Sequence, residues 1–368
     1  MKLHRISWFD EFECMGGACP QSCCKGWQIP LTDEDCERFK KERGRRGLSL
    51  FMATGGWTRD KFNADSGSCP FWGKDGLCRL QKEKGHDFIP ETCRDYPRFY
   101  RNYGEFEETF LDLSCIKAAE LFIKHIDDIS LDVSDGEAET GLCTTNDDVS
   151  YLEFLVKTRD DMTAKAVRSA GDGTLGAFAD ELFSYACDLQ DHYACGSGEA
   201  PPKPSKLTDY DLFPLPLGVL EKLLNSSFRH FRLKLTSPAL YGMISKCDDL
   251  IRRCRKGEIN WEDRVRDAFT KNAGLIKVCA AYLSYYLYMH FLRTYETYSF
   301  RKQVGLGICH MNMILFIVMS TTDPATITGM QLAGIIASYN GRAYFNDNIL
   351  DEMYRIFEDH CRDIARLS

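Results

Sequence analysis

Four thiols fall within the eleven residues of "CMGGACPQSCC", Cys14 to Cys24, and two of them are adjacent. A segment so dense in Cys, Gly and Pro keeps neither a helical nor a strand period, so its order must come from a cross-link rather than a backbone ladder. Disulfides and metals are the two cross-links on offer. The chain has 17 cysteines, an odd number. Its opening, "MKLHRISWFDEFEC", has no apolar run of signal-peptide length, which predicts a cytoplasmic protein whose thiols stay reduced. Metal ligation is then the stronger reading.

The thiols are also unevenly spread, with nine in the first 115 residues and eight in the remaining 253. A chain of 368 residues can bury a full core without cross-links, so a metal would serve the cysteine region rather than the whole protein. A net charge of −8 gives no general pull toward nucleic acid or an anionic membrane. "VCAAYLSYYLYMHFL" and "VGLGICHMNMILFIVM" are shorter than the ~20 apolar residues of a membrane span and contain Tyr, His and Asn. They read as buried helices joined into an antiparallel hairpin, and no membrane span is expected.

The expected fold is mainly α. An irregular Cys-rich region with short strands, residues 1–130, precedes a helical, bundle-like region, residues 131–368, with a linker near 195–206. In the first region Thr32 caps a short helix with Asp35 at its third position, and the Lys74-Asp75-Gly76 tip reads as a hairpin carrying Cys69 and Cys78. In the second, Ser150 with Glu153 has capping-box form, and Leu175, Phe178, Leu182, Ala186 and Leu189 make a helical stripe. Ser237-Pro238 and Asp323-Pro324 each read as a helix start, and a last helix is expected near Asn348 to Leu367.

Periodicity sorts the thiols. Cys247, Cys254, Cys279 and Cys361 lie on apolar helical stripes and read as small core residues, with Cys36 beside them; Cys143, Cys187, Cys195 and Cys309 have no partner at ligand spacing. Cys14, Cys19, Cys23, Cys24, Cys69, Cys78, Cys93 and Cys115 sit in turns or beside Gly and Pro, where several can converge on one centre. Thiolate softness selects zinc or an iron–sulfur cluster. Cys-x2-Cys zinc knuckles are missing, and the x4, x3 and adjacent spacings suit the looser loops of a four-iron cluster at least as well. The adjacent Cys23 and Cys24 are expected to point in different directions. Cys-x3-Cys-x2-Cys, the pattern of radical S-adenosylmethionine enzymes, fails because Cys24 follows Cys23 directly and residue 26 is Gly.

"FECMGGACPQSCCKGWQIPLTDEDCERF", "CPFWGKDGLCRLQKEKGHDFIPETCRDYPRF" and "LDLSC" together resemble the flagellin lysine N-methylase (FliB-type) family, within a broader Cys-rich group described as zinc- or iron-chelating. The resemblance covers roughly Phe12 to Cys115. It implies methyl transfer from S-adenosylmethionine to lysine side chains of flagellin or a similar protein, with an iron–sulfur cluster, [4Fe-4S], or zinc in its place. Methylating an amine requires a neutral lysine held in line with the sulfonium and shielded from water. No Gly-rich nucleotide fingerprint follows an expected strand.

In "CRDYPR", Tyr96 and Asp95 are the candidate proton acceptors, and Arg94 the candidate partner of the cofactor's carboxylate or ribose, with a structural ion pair as the plainer role. Trp27 either stacks on the adenine or covers the cluster. Tyr282, Tyr285, Tyr286 and Tyr288 read as core ahead of a lysine channel, and His290 and His310 as hydrogen-bonded core. Two other functions fit the same block: a non-enzymatic iron- or zinc-binding protein, and a modifier of a different peptide. The long helical region favours an enzyme that closes around two substrates.

Overall fold

The computed structural model describes all residues except 27, 63–66, 140–142, 145, 147, 195–201, 204–208, 229–236, 344–345 and 368. Trp27, Cys195 and most of the expected linker therefore lie outside the described residues. The chain begins in a four-stranded sheet of order β4-β5-β1-β6, made by Lys2–Ile6 (β1), Arg98–Asn102 (β4), Phe106–Leu111 (β5) and Leu131–Asp135 (β6). β1 runs parallel to β5 and antiparallel to β6, and β4–β5 is an antiparallel hairpin. Ile29–Pro30 (β2) and Lys61–Phe62 (β3) form a separate two-stranded pair.

Five helices belong to the cysteine region: Asp33–Lys40 (α1), Gly44–Ala53 (α2), Arg79–Lys84 (α3), Glu91–Asp95 (α4) and Ile116–Lys124 (α5). The rest of the described chain is helical: Val149–Asp172 (α6), Leu175–Ala194 (α7), Leu217–Phe228 (α8), Pro238–Arg255 (α9), Trp261–Lys271 (α10), Gly274–His290 (α11), Thr294–Thr297 (α12), Phe300–Thr321 (α13), Gly329–Ala343 (α14) and Asp347–Leu367 (α15). The fold is thus mainly α, with short strands confined to the cysteine region and its border.

The hydrophobic interior falls into two clusters. The larger runs from Ile6 and Trp8 through Phe110 and Phe122 to Phe357 and Cys361, so the sheet and the helical region share one core. The smaller is drawn from Cys24 to Cys93 and centres on Phe39, Leu50, Phe62 and Phe71. Thr32 caps α1 as expected, accepting from the Asp35 amide while Asp35 reaches back to the Thr32 amide.

Several expected boundaries move. α6 is capped by Asp148, whose carboxylate accepts from the Tyr151 amide at 2.9 Å, so Ser150 and Glu153 already lie inside the helix. Asp323-Pro324 opens a turn, not a helix: Asp323 accepts from the Ala325 amide, and α14 starts after Thr328, which exchanges hydrogen bonds with Gln331. The Lys74–Gly76 tip is closed by a single Trp72–Cys78 bridge without flanking strands. Gly76 makes that turn with φ +79°.

The helical run from α11 through α12, Gly274–Thr297, and α13 are longer than their apolar cores suggested, and by length and composition both could cross a bilayer. Inside the fold, 78% and 89% of their apolar windows are buried. Helices apolar on all sides and covered by other helices are core helices. The tyrosines of α11 anchor that core: Tyr285 Oη donates to the Leu111 carbonyl at 2.6 Å, and Tyr282 Oη donates to Asn340 Oδ1 at 2.8 Å. His310 Nδ1 meets Tyr339 Oη at 2.7 Å, both fully buried. These groups are structural, not a channel.

Asp180 on α7 receives the Leu212 amide at 3.2 Å and so pins the segment before α8. Burial pushes its carboxyl from 3.8 up to about 7. A raised folded value means a stability contribution that is complete below the unfolded value and is lost as pH rises through about 7. Asp180→Asn keeps an acceptor for Leu212 and removes the charge. It is expected to be more stable than the wild type at pH 8, by about 2–4 kcal/mol, with the gap closing toward pH 4. Thermal unfolding of both proteins across that range checks this; a pH-independent gap would contradict it.

Candidate metal centre

Eight thiols, and the same eight that the sequence set apart, line one cavity of about 360 Å³: Cys14, Cys19, Cys23, Cys24, Cys69, Cys78, Cys93 and Cys115. Each arrives on a short turn or a helix start. Cys14 and Cys19 flank the tight turn at Gly16–Ala18, and the Gly16 amide donates to Cys14 Sγ at 3.4 Å. That turn rests on the Gly73–Leu77 turn, and the contact is close: a Cβ on Gly76 would stand 3.2 Å from the Gly17 carbonyl oxygen. Cys69 is fixed by its amide donating to the Cys24 carbonyl at 2.7 Å. Cys93 sits in α4, whose first turn holds the Cys93 amide against the Pro90 carbonyl.

Cys78 and Cys115 occupy the N-caps of α3 and α5. There the first-turn amides of Leu80 and Gln81, and of Lys117 and Ala118, face the sulfurs and act to lower their pKa values. Such amides favour thiolate. Burial works the other way, pushing Cys115 up to about 11 and Cys69 up to about 12, with neighbouring thiols adding to the rise. A cation or cationic cluster in the cavity would remove that opposition, since metal ligation requires and stabilises the thiolate.

The wall has two sides. Cys24, Cys69, Cys78 and Cys93 pack against the small core, and Cys19 and Cys115 against the large one. Electrostatic neighbours divide the same way: Cys93 feels Cys69, Cys24 and Cys78, while Cys115 feels Cys19 and Cys14. Cys23 couples to both sides. The adjacent Cys23 and Cys24 differ in setting: Cys23 is exposed, whereas Cys24 packs against the small core.

Among the described residues no three His, Cys, Asp or Glu side chains are drawn together tightly enough for a single bare ion. One tetrahedral zinc with Zn–S of about 2.3 Å would pull its four sulfurs to within about 3.8 Å of one another. Thiols spaced around a cavity wall suit a larger inorganic group at least as well. Among the described residues no other cysteine lines this cavity: Cys36 packs on the small core, Cys247, Cys279, Cys309 and Cys361 are buried in the large one, and Cys143 is exposed.

The remaining candidates spread out. Tyr96 and Arg94 line the thiol cavity; Asp95 does not. Arg94 is engaged with backbone, donating to the Ile89 carbonyl at 2.9 Å and the Asp87 carbonyl at 3.2 Å. Tyr96 Oη lies 3.0 Å from Ser114 Oγ, and burial pushes its phenol well up. Asp112 was not singled out from the sequence. Its carboxylate accepts from the Ser114 amide at 2.7 Å, burial pushes it up to about 6, and its charge is felt at Tyr96. Its place in "LDLSC", three residues before Cys115, was the available signal.

Residues 13–115 match the CxxCxxCC family, described as "Putative zinc- or iron-chelating domain". The cysteine cavity is the heart of that match. Over 128 residues, 33% of this chain, the protein is 29% identical to a lysine-N-methylase of Salmonella choleraesuis, to another of Salmonella typhimurium, and to a flagellar biosynthetic protein FliU of Salmonella muenchen. The matched stretch spans 32% of each lysine-N-methylase and 76% of FliU. The likeness to lysine-N-methylases thus covers about a third of this chain and a third of theirs. No solved structure matches the chain.

Proposed function

We propose that this protein is an S-adenosylmethionine-dependent N-methyltransferase for lysine side chains of a flagellin-like protein, with its eight-thiol cavity holding a [4Fe-4S] cluster. The observation that carries the reading is the convergence of eight cysteines on one cavity inside the chelating-domain match, in a chain that is also similar to named lysine-N-methylases. Thiols that serve as ligands stay reduced in a reducing compartment, which supports a cytoplasmic location.

When bound, the donor sulfonium supplies its methyl carbon: the lysine nitrogen lone pair forms the N–C bond, the S–C pair stays on sulfur as a neutral thioether, and the amine releases one proton. The chain's own residues set up that exchange. Cys24, Cys69, Cys78 and Cys93 would hold the inorganic group against the small core, and Cys14, Cys19, Cys23 and Cys115 would close the opposite wall. Tyr96 lines the thiol cavity with its hydroxyl on Ser114 Oγ, and the Ser114 amide donates to the buried Asp112, so a phenol and a nearby carboxylate are the groups at hand for the released proton. Asp95, half-buried beside Arg94 and Arg98, is the alternative acceptor on the outer side.

The family description favours a second reading, a zinc- or iron-binding protein without transferase activity. Incubating metal-loaded protein with S-adenosylmethionine and flagellin, and following flagellin lysines by mass spectrometry, separates the two. Methylated lysine that disappears when the protein is omitted supports the transferase. Unmodified flagellin and other candidate acceptors, with metal fully bound, would leave the binding protein.

A further inference from the structure

A second cavity, about 340 Å³, abuts the thiol cavity and shares Gln21, Ser22, Cys23 and Tyr96 with it. Its charge is unusual for a chain of net charge −8: Lys25 and Arg342 line it, and no Asp or Glu does among the described residues. Lys25 Nζ is placed 4.1 Å above the Trp72 ring. Arg342, in the last turn of α14, has no carboxylate, carbonyl or ring partner among the described residues, and its Nε is out of solvent. Burial lowers its pKa, the signature of a guanidinium that pays for desolvation without a counter-charge. Around it the polar groups are already paired off: Ser338 Oγ donates to Gln21 Oε1 at 3.5 Å, and Tyr96 and Ser114 bond each other.

Arg342 is half-buried, and a guanidinium withdrawn from water is normally matched by carboxylate or phosphate. We propose that this cavity binds the carboxylate of a small amino-acid-bearing ligand, with Arg342 as its partner, and that this ligand is the methyl donor. The assignment rests on the methyl-transfer reading. It places the donor's amino-acid end against α14 and its sulfur toward the wall shared with the thiols. It also moves carboxylate recognition from Arg94, which is committed to backbone carbonyls, to Arg342.

The test uses metal-loaded, anaerobically prepared protein and two probes: S-adenosylhomocysteine, which carries the carboxylate, and methylthioadenosine, which lacks it. By calorimetry, Arg342→Gln is expected to weaken S-adenosylhomocysteine roughly 10- to 100-fold, the range for a charged hydrogen-bonded pair, while methylthioadenosine binding is unchanged. Arg342→Lys should recover part of the loss. Equal S-adenosylhomocysteine affinity in wild type and Arg342→Gln would overturn the assignment and leave the transferase standing, as would equal loss of both probes. If the wild type binds neither probe, the methyl-donor reading itself fails.

Discussion

Cys93→Ala and Cys23→Ala are expected to lose bound metal and most soluble protein, whereas Cys254→Ala and Cys361→Ala are expected to keep the wild-type metal content. The contrast follows from where the thiols sit. Cys93 belongs to the wall built on the small core, whose members come only from the stretch between Cys24 and Cys93 and whose strands are two residues long. A unit of that size seldom supplies more than a few kcal/mol by itself, and small metal-dependent folds take much of their stability from ligation. Cys23 couples to thiols on both sides of the cavity, so its loss should be felt across it. Cys254 and Cys361 lie on α9 and α15, packed with the large core. Their truncation leaves a small void costing about 1 kcal/mol, without touching the metal. Metal analysis of the four purified variants checks this. Equal loss from all four would erase the division between the two thiol populations.

Arg159→Met is expected to be the most damaging single change in the helical part. Arg159 and Glu108 are each about 1% exposed, and Arg159 Nη1 donates to both Glu108 carboxylate oxygens at 2.7 and 2.8 Å. The pair ties α6 to the middle of β5, and the guanidinium also stacks over Tyr288 of α11 at 5.0 Å. Burial pushes the Glu108 carboxyl up and Arg159 holds it down. Removing the arginine strands a buried carboxylate, at a cost of about 3–5 kcal/mol. That is a large share of a typical folding free energy of about 5–15 kcal/mol. The double change Arg159→Met with Glu108→Leu removes both charges and should recover most of the loss. Denaturant unfolding of wild type, both single variants and the double variant tests it; additive losses would show that the two side chains do not act as a pair.

Much of the candidate centre was legible because the cavity thiols break periodicity and the core thiols obey it. Cys279 and Cys361 fall on helical stripes and are buried; Cys69 and Cys115 fall in turns and face the cavity. Local capping chemistry was equally readable at Thr32, where the reciprocal pair with Asp35 forms as the spacing predicts. Competing local signals explain the misses. Asp148 outcompeted Ser150 as a cap, and Asp323-Pro324 has the form of a helix start but spends its hydrogen bonds on its own turn. Non-local features left no trace: β1 pairs with β5 about a hundred residues later, and nothing in "KLHRI" names that partner. Arg342 is the same case, since a cation in a helix's last turn looks like an ordinary dipole partner until its surroundings are known.

The measurement that bears most directly on the account is iron, zinc and acid-labile sulfide per chain in protein purified without oxygen, read with the visible spectrum. A brown protein with roughly four iron and four sulfide per chain is the expected result. Zinc without sulfide would contradict the cluster and make the eight thiols a zinc scaffold.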